Sequence, residues 1–101
     1  MKKCLLAVLL LFSTTLLAQS WVAKTNVPTG RHHPISFALN GKGYAITGTD
    51  STGQPTDDAF EYNPVTNTWN VLSDFPGLAR SFGIGTTANG KAYLGFGATT
   101  T

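Results

Sequence analysis

The chain has 101 residues, 42% apolar and 12% charged, with 11 Gly, 5 Pro, a single Cys and a formal net charge of +2. The charged share is about half that of an average globular protein, while Gly, Thr and aromatics are plentiful, which excludes a charge-rich disordered chain and a coiled coil. One small β-rich unit is what remains.

Met1-Lys2-Lys3 is a short basic start, followed from Leu5 to Leu17 by an almost unbroken apolar run of 13 residues that closes on Ala18-Gln19-Ser20. This is the layout of a secretory signal peptide, and the run falls short of the about 20 residues that span a bilayer as a helix. Residues 1–18 are therefore expected to be a leader, cleaved after Ala18 or, as a second choice, after Ser20. The expected destination is export: periplasm, cell surface or outside the cell. Cys4 precedes the apolar run, so it is not a lipidation cysteine and leaves with the leader. The remaining chain has five basic residues (Lys24, Arg31, Lys42, Arg80, Lys91) and five acidic ones (Asp50, Asp57, Asp58, Glu61, Asp74), a formal charge of zero. No basic stripe is left for nucleic acid, no membrane span is expected, and no cysteine is left for a disulfide.

Past the leader, a repeat organises the sequence. Trp21 and Val27-Pro28 recur 48 residues on as Trp69 and Phe75-Pro76; at an offset of 49, Arg31 falls on Arg80, Asn40-Gly41-Lys42 on Asn89-Gly90-Lys91, Tyr44 on Tyr93 and Gly48 on Gly97. Within the unit, Ile35 to Leu39 and Tyr44 to Thr47 read as strands around an Asn-Gly hairpin turn. Gly48 to Thr56 reads as a longer loop, Asp58 to Tyr62 as a third strand, Asn63 to Asn67 as a turn and Thr68 to Leu72 as a fourth strand. After a loop from Ser73 to Arg80, Phe82 to Thr87 and Ala92 to Phe96 repeat the opening hairpin around Asn89-Gly90. Four antiparallel strands in about 49 residues make one propeller blade.

The run Arg31…Asn40-Gly41-Lys42-Gly43-Tyr44…Gly48…Tyr62-Asn63-Pro64-Val65-Thr66…Trp69 resembles the kelch repeat. That family has an arginine ahead of the first strand, a tyrosine and then a glycine pair on the second, and an aromatic Tyr-Asp-Pro-x-Thr turn leading to tryptophan. Here the glycine pair is Thr47-Gly48 and Phe96-Gly97, and Asn63 replaces the aspartate. The resemblance implies an all-β fold of about 1.7 kelch-type blades, the first repeat over about 21–68 and the second over about 69–101. A propeller closes with about four to eight blades, so the expectation is part of a longer propeller, or else a self-associating unit.

Trp21, Tyr44, Gly48, Tyr62, Trp69, Arg80, Tyr93 and Gly97 read as structural repeat residues, the aromatics packing between stacked blades and the arginines satisfying backbone carbonyls there. In an up-and-down blade the longer connections share one edge, and function concentrates on such loops. The candidate ligand residues on that edge are Arg31, His32, His33, Asp50, Asp57 and Asp58. His32 and His33 are neighbours, and neighbours in extended chain point to opposite sides, so no metal site is expected. No catalytic set and no cofactor are expected either. Galactose oxidase-like members of the family join a tyrosine to a cysteine at copper, which a cysteine-free mature chain cannot do; sialic-acid epimerases are another kelch-type class. By this analogy of fold the leading expectation is a secreted or cell-surface module binding protein or glycan, and the alternative is the N-terminal part of a carbohydrate-active propeller enzyme.

Overall fold

The computed structural model describes residues 19–100. Seven strands follow in order: β1 (Arg31–His32), β2 (Ile35–Leu39), β3 (Lys42–Asp50), β4 (Pro55–Asn63), β5 (Thr68–Val71), β6 (Ile84–Ala88) and β7 (Lys91–Gly95). No helix occurs among the described residues. Strands β2 to β5 form an antiparallel up-and-down sheet, with the two-residue β1 added beside the far end of β3; β6 and β7 form a second, two-stranded sheet.

The hairpins arise from the turn chemistry. Asn40 and Gly41 sit at φ 52° and 76°, and Asn89 and Gly90 at 52° and 73°. Left-handed values at both turn positions match the twist of the flanking strands, and Asn and Gly reach them at least cost. The register that follows, Leu39 opposite Lys42 and Ala88 opposite Lys91, is the same in both copies. The β4–β5 turn is held by Asn63, whose Oδ1 accepts the backbone N–H groups of Val65 (3.0 Å) and Thr66 (3.4 Å). This is what an Asp or Asn at that turn position supplies.

The structure lengthens two strands at the expense of the expected loop from Gly48 to Thr56. β3 continues to Asp50 and β4 begins at Pro55, leaving only residues 51–54 outside the sheet. Between Ile46 and Gly48 the pairing with β4 shifts register, with Thr47 at φ 61° and Gly48 at 114°. That irregularity bends β3 without ending it. At Gly48 a Cβ would stand 3.0 Å from the His32 carbonyl oxygen and 3.2 Å from the Pro34 backbone, so the entry to β2 is allowed to lie against β3.

Ile35, Ile46 and Ala59 form the buried core, flanked by Phe37, Tyr44, Leu72, Phe75 and Leu94. The second sheet docks on this face through Gly83 and Gly85, where a Cβ would come within 2.7 Å of the Ile35 side chain. Ile84 and Tyr93 face away from the first blade and remain exposed.

Candidate functional site

The turns joining β2 to β3 and β4 to β5 lie at one edge of the blade, and the β3–β4 and β5–β6 connections at the other. On this second edge β1 pairs with the end of β3, Arg31 opposite Asp50 and His32 opposite Thr49. A shallow cleft of about 190 Å³ is lined there by Gly30, Arg31, His32, Thr49, Asp50 and Ser51.

Arg31 is consumed by the blade itself. Its side chain is 2% exposed. Nη1 and Nη2 donate to the two carboxylate oxygens of Asp58, Nη2 at 2.9 Å; Nη1 also donates to the Thr47 carbonyl (2.9 Å) and Nε to that of Thr29 (3.2 Å). The guanidinium lies over the Phe60 ring, 4.9 Å from its centroid. A fork of five donors suits this mixture of carboxylate and carbonyls. The hydrogen bonds and charge of Arg31 hold the Asp58 carboxyl below the usual carboxylate range. Both residues were candidates for ligand contact; here they satisfy each other, and the carbonyls that Arg31 meets belong to its own blade and not to a neighbouring one.

Asp50 staples the short loop. Its Oδ1 accepts the Thr52 hydroxyl (2.6 Å) and the N–H groups of Thr52 (2.8 Å) and Gln54 (3.1 Å). These bonds, the Thr52 hydroxyl first, lower its pKa. Asp57 holds the blade linker through its backbone, its carbonyl accepting the Phe75 N–H at 2.6 Å.

His32 and His33 do not diverge. His33 sits at φ 54°, outside extended geometry, and the two Nδ1 atoms stand 2.7 Å apart. The His33 ring stacks on Phe82 at 4.0 Å between centroids. The expectation that neighbouring side chains point to opposite sides fails here because His33 leaves the β region. The pair is a hydrogen-bonded, exposed imidazole couple at the blade junction. Among the described residues no group of three or more His, Cys, Asp or Glu converges on a common point.

The repeat residues divide. Trp69 is half-buried, tilted against Tyr62 at 5.0 Å, and its Nε1 donates to the Thr25 carbonyl at 2.8 Å. Trp21 is 100% exposed, without packing among the described residues. Tyr44 donates to Glu61 Oε2 (2.8 Å), while Lys42 reaches Glu61 Oε1 (3.3 Å). This pairing raises the Tyr44 pKa and lowers that of Glu61. Sequence reasoning passed over Glu61, though its place opposite Tyr44 follows once the β3–β4 register is known. It also missed the buried bond from Thr49 Oγ1 to Ser81 Oγ (2.7 Å), which ties the end of β3 to the linker entering the second sheet.

The kelch motif matches residues 36–76. The N-acetylneuraminate epimerase of Pasteurella multocida (strain Pm70) is 35% identical over 82 residues, 75% of this chain and 22% of that enzyme. A solved structure titled "Structure of YjhT" superposes with a TM-score of 0.68 at 32% identity, over 80% of this chain and 25% of its own. The chain thus spans about a quarter of the length of the proteins it matches. With an arginine-tied blade, a second hairpin in the same register and these two likenesses, the chain carries the kelch repeat and folds as kelch-type β-propeller blades.

Proposed function

We propose that these blades belong to an exported kelch propeller that acts on N-acetylneuraminate as an epimerase. The observation that carries this reading is the 35% identity with the Pasteurella enzyme over 82 residues, well beyond the 36–76 stretch of the motif itself. On this reading the edge bearing His32, His33 and the Asp50 loop belongs to the sugar-facing rim, and Arg31 and Asp58 keep it rigid. The test follows the anomers of N-acetylneuraminate by proton NMR in the presence of the whole gene product. Faster interconversion than in buffer supports the proposal.

A second reading, a protein- or glycan-binding module without turnover, is favoured by the engagement of Asp58 and Glu61 in pairs inside the blade. Saturable binding of a glycan or protein, with the anomers exchanging at the buffer rate, selects it.

A further inference from the structure

The backbone draws His32 and His33 together and fixes both. His32 is held in β1 opposite Thr49. His33 is held at φ 54°, its carbonyl accepting the Phe82 N–H at 3.2 Å and its ring stacked on the Phe82 ring. Both side chains are exposed, and their Nδ1 atoms stand 2.7 Å apart. A hydrogen bond between them needs a proton on one Nδ1 and a lone pair on the other. When water carries that proton to the outer nitrogen of the same ring, both Nδ1 atoms present lone pairs and the charge of the pair is unchanged. The surroundings suit a cation. The Asp50 carboxylate lines the same cleft as His32; Arg31 is neutralised by Asp58, and Arg80 is turned onto the carbonyls of Leu78 (2.9 Å) and Phe96 (3.3 Å) with its guanidinium over the Phe75 ring.

We propose that the Nδ1 atoms of His32 and His33 form a two-imidazole chelate for a divalent cation of square-planar preference, Cu(II) above all. The spacing selects the geometry. Imidazole–metal bonds of about 2.0 Å set two nitrogens about 2.8 Å apart at the right angle of a square plane, but about 3.3 Å apart at the tetrahedral angle of zinc. The observed 2.7 Å lies close to the first value and well short of the second. Each exposed ring then has only to turn until both lone pairs meet at one point, with almost no change in the distance between them. Copper also stands highest among first-row divalent ions in affinity for nitrogen donors. The chelate fills two adjacent corners of the square and leaves two for water or an added oxygen ligand, and it does not depend on any turnover of a sugar.

The probe is Cu(II) alone, added to the untagged, isotope-labelled chain carrying Cys4→Ser, which removes the only competing thiol. Electron paramagnetic resonance is expected to show an axial copper signal with hyperfine coupling to two imidazole nitrogens, and amide NMR to show paramagnetic broadening centred on His32, His33 and Phe82. His32→Ala and His33→Gly, the second chosen because glycine keeps the left-handed φ without strain, are each expected to weaken copper binding more than about tenfold, since even the partners of metal ligands act on that scale. Should either variant fail to fold, the two-nitrogen signal and the position of the broadening on the parent chain decide. Coupling to a single imidazole, broadening centred away from this pair, or copper affinity unchanged in both folded variants would overturn the proposal.

Discussion

Arg31 and Thr47 show how single residues set the stability of the blade. A nearly buried guanidinium that loses its carboxylate leaves an uncompensated charge, which costs roughly 3 kcal/mol. Asp58→Ala is expected to lower the denaturant midpoint by about that amount. Because the Asp58 pKa is depressed in the folded chain, its contribution is complete above the unfolded value of about 3.9 and is lost as pH falls through the folded value. Asp58→Asn should therefore flatten the dependence of stability on pH below about 4, as measured by urea titrations across the acid range. Thr47 is a β-branched residue at φ 61°, fully buried, and its hydroxyl has no hydrogen-bond partner among the described residues. Strain and an unsatisfied hydroxyl each cost about 1–3 kcal/mol, against about 1 kcal/mol for the lost methyl contact and a similar amount for glycine entropy. Thr47→Gly, which restores the glycine pair of the family, is expected to raise the midpoint by about 1 kcal/mol; a fall would show that the Thr47 side chain is held by packing that outweighs its backbone strain.

Among the elements, the outer strand β5 depends on one side chain more than on its length. Trp69 ties it to Tyr62 and to the Thr25 segment, and because the ring is half-buried, Trp69→Ala is expected to cost about 2 kcal/mol, below the 3–5 of a fully buried tryptophan. Amide exchange should show the Thr25 segment opening first, whereas uniform opening of the whole sheet would assign the ring to the core. Much of this level was legible in the sequence. The hairpins were readable from Asn-Gly, and the third and fourth strands from their aromatic alternation, since both signals are local. What was not legible depends on contacts distant in sequence. The run of β3 through Gly48 depends on pairing with the start of β4 on one side and, on the other, with β1, a two-residue strand whose alternation is too short to detect. The convergence of His32 and His33 depends on a left-handed φ that a histidine does not announce. The removal of Arg31 and Asp58 from the exposed candidates follows only when β4 lies beside β3; their charges alone mark them equally for a ligand or for each other.

For the whole molecule, the sequence period returns in the structure, β2 at Ile35 being followed 49 residues on by β6 at Ile84, but the repeat and the sheet differ in phase. Counted from Trp21 the repeat begins ahead of β1, in residues that form no strand, whereas the sheet groups β2 to β5. Residues 1–18, where the leader is expected, lie outside the described residues. Mass spectrometry of exported protein is predicted to find Gln19 or Trp21 as the first residue, and recovery of a membrane-embedded chain that still carries residues 1–17 would contradict it. The second hairpin stacks on the first blade, whose core is closed by Gly85 of β6 and Gly83 just before it. Nuclear Overhauser contacts from the Ile35 methyl groups test this most directly. Strong cross-peaks to the α-protons of Gly83 and Gly85 are expected, weakened together by Ile35→Ala; their absence while both hairpins remain folded would show that the second hairpin does not pack on Ile35.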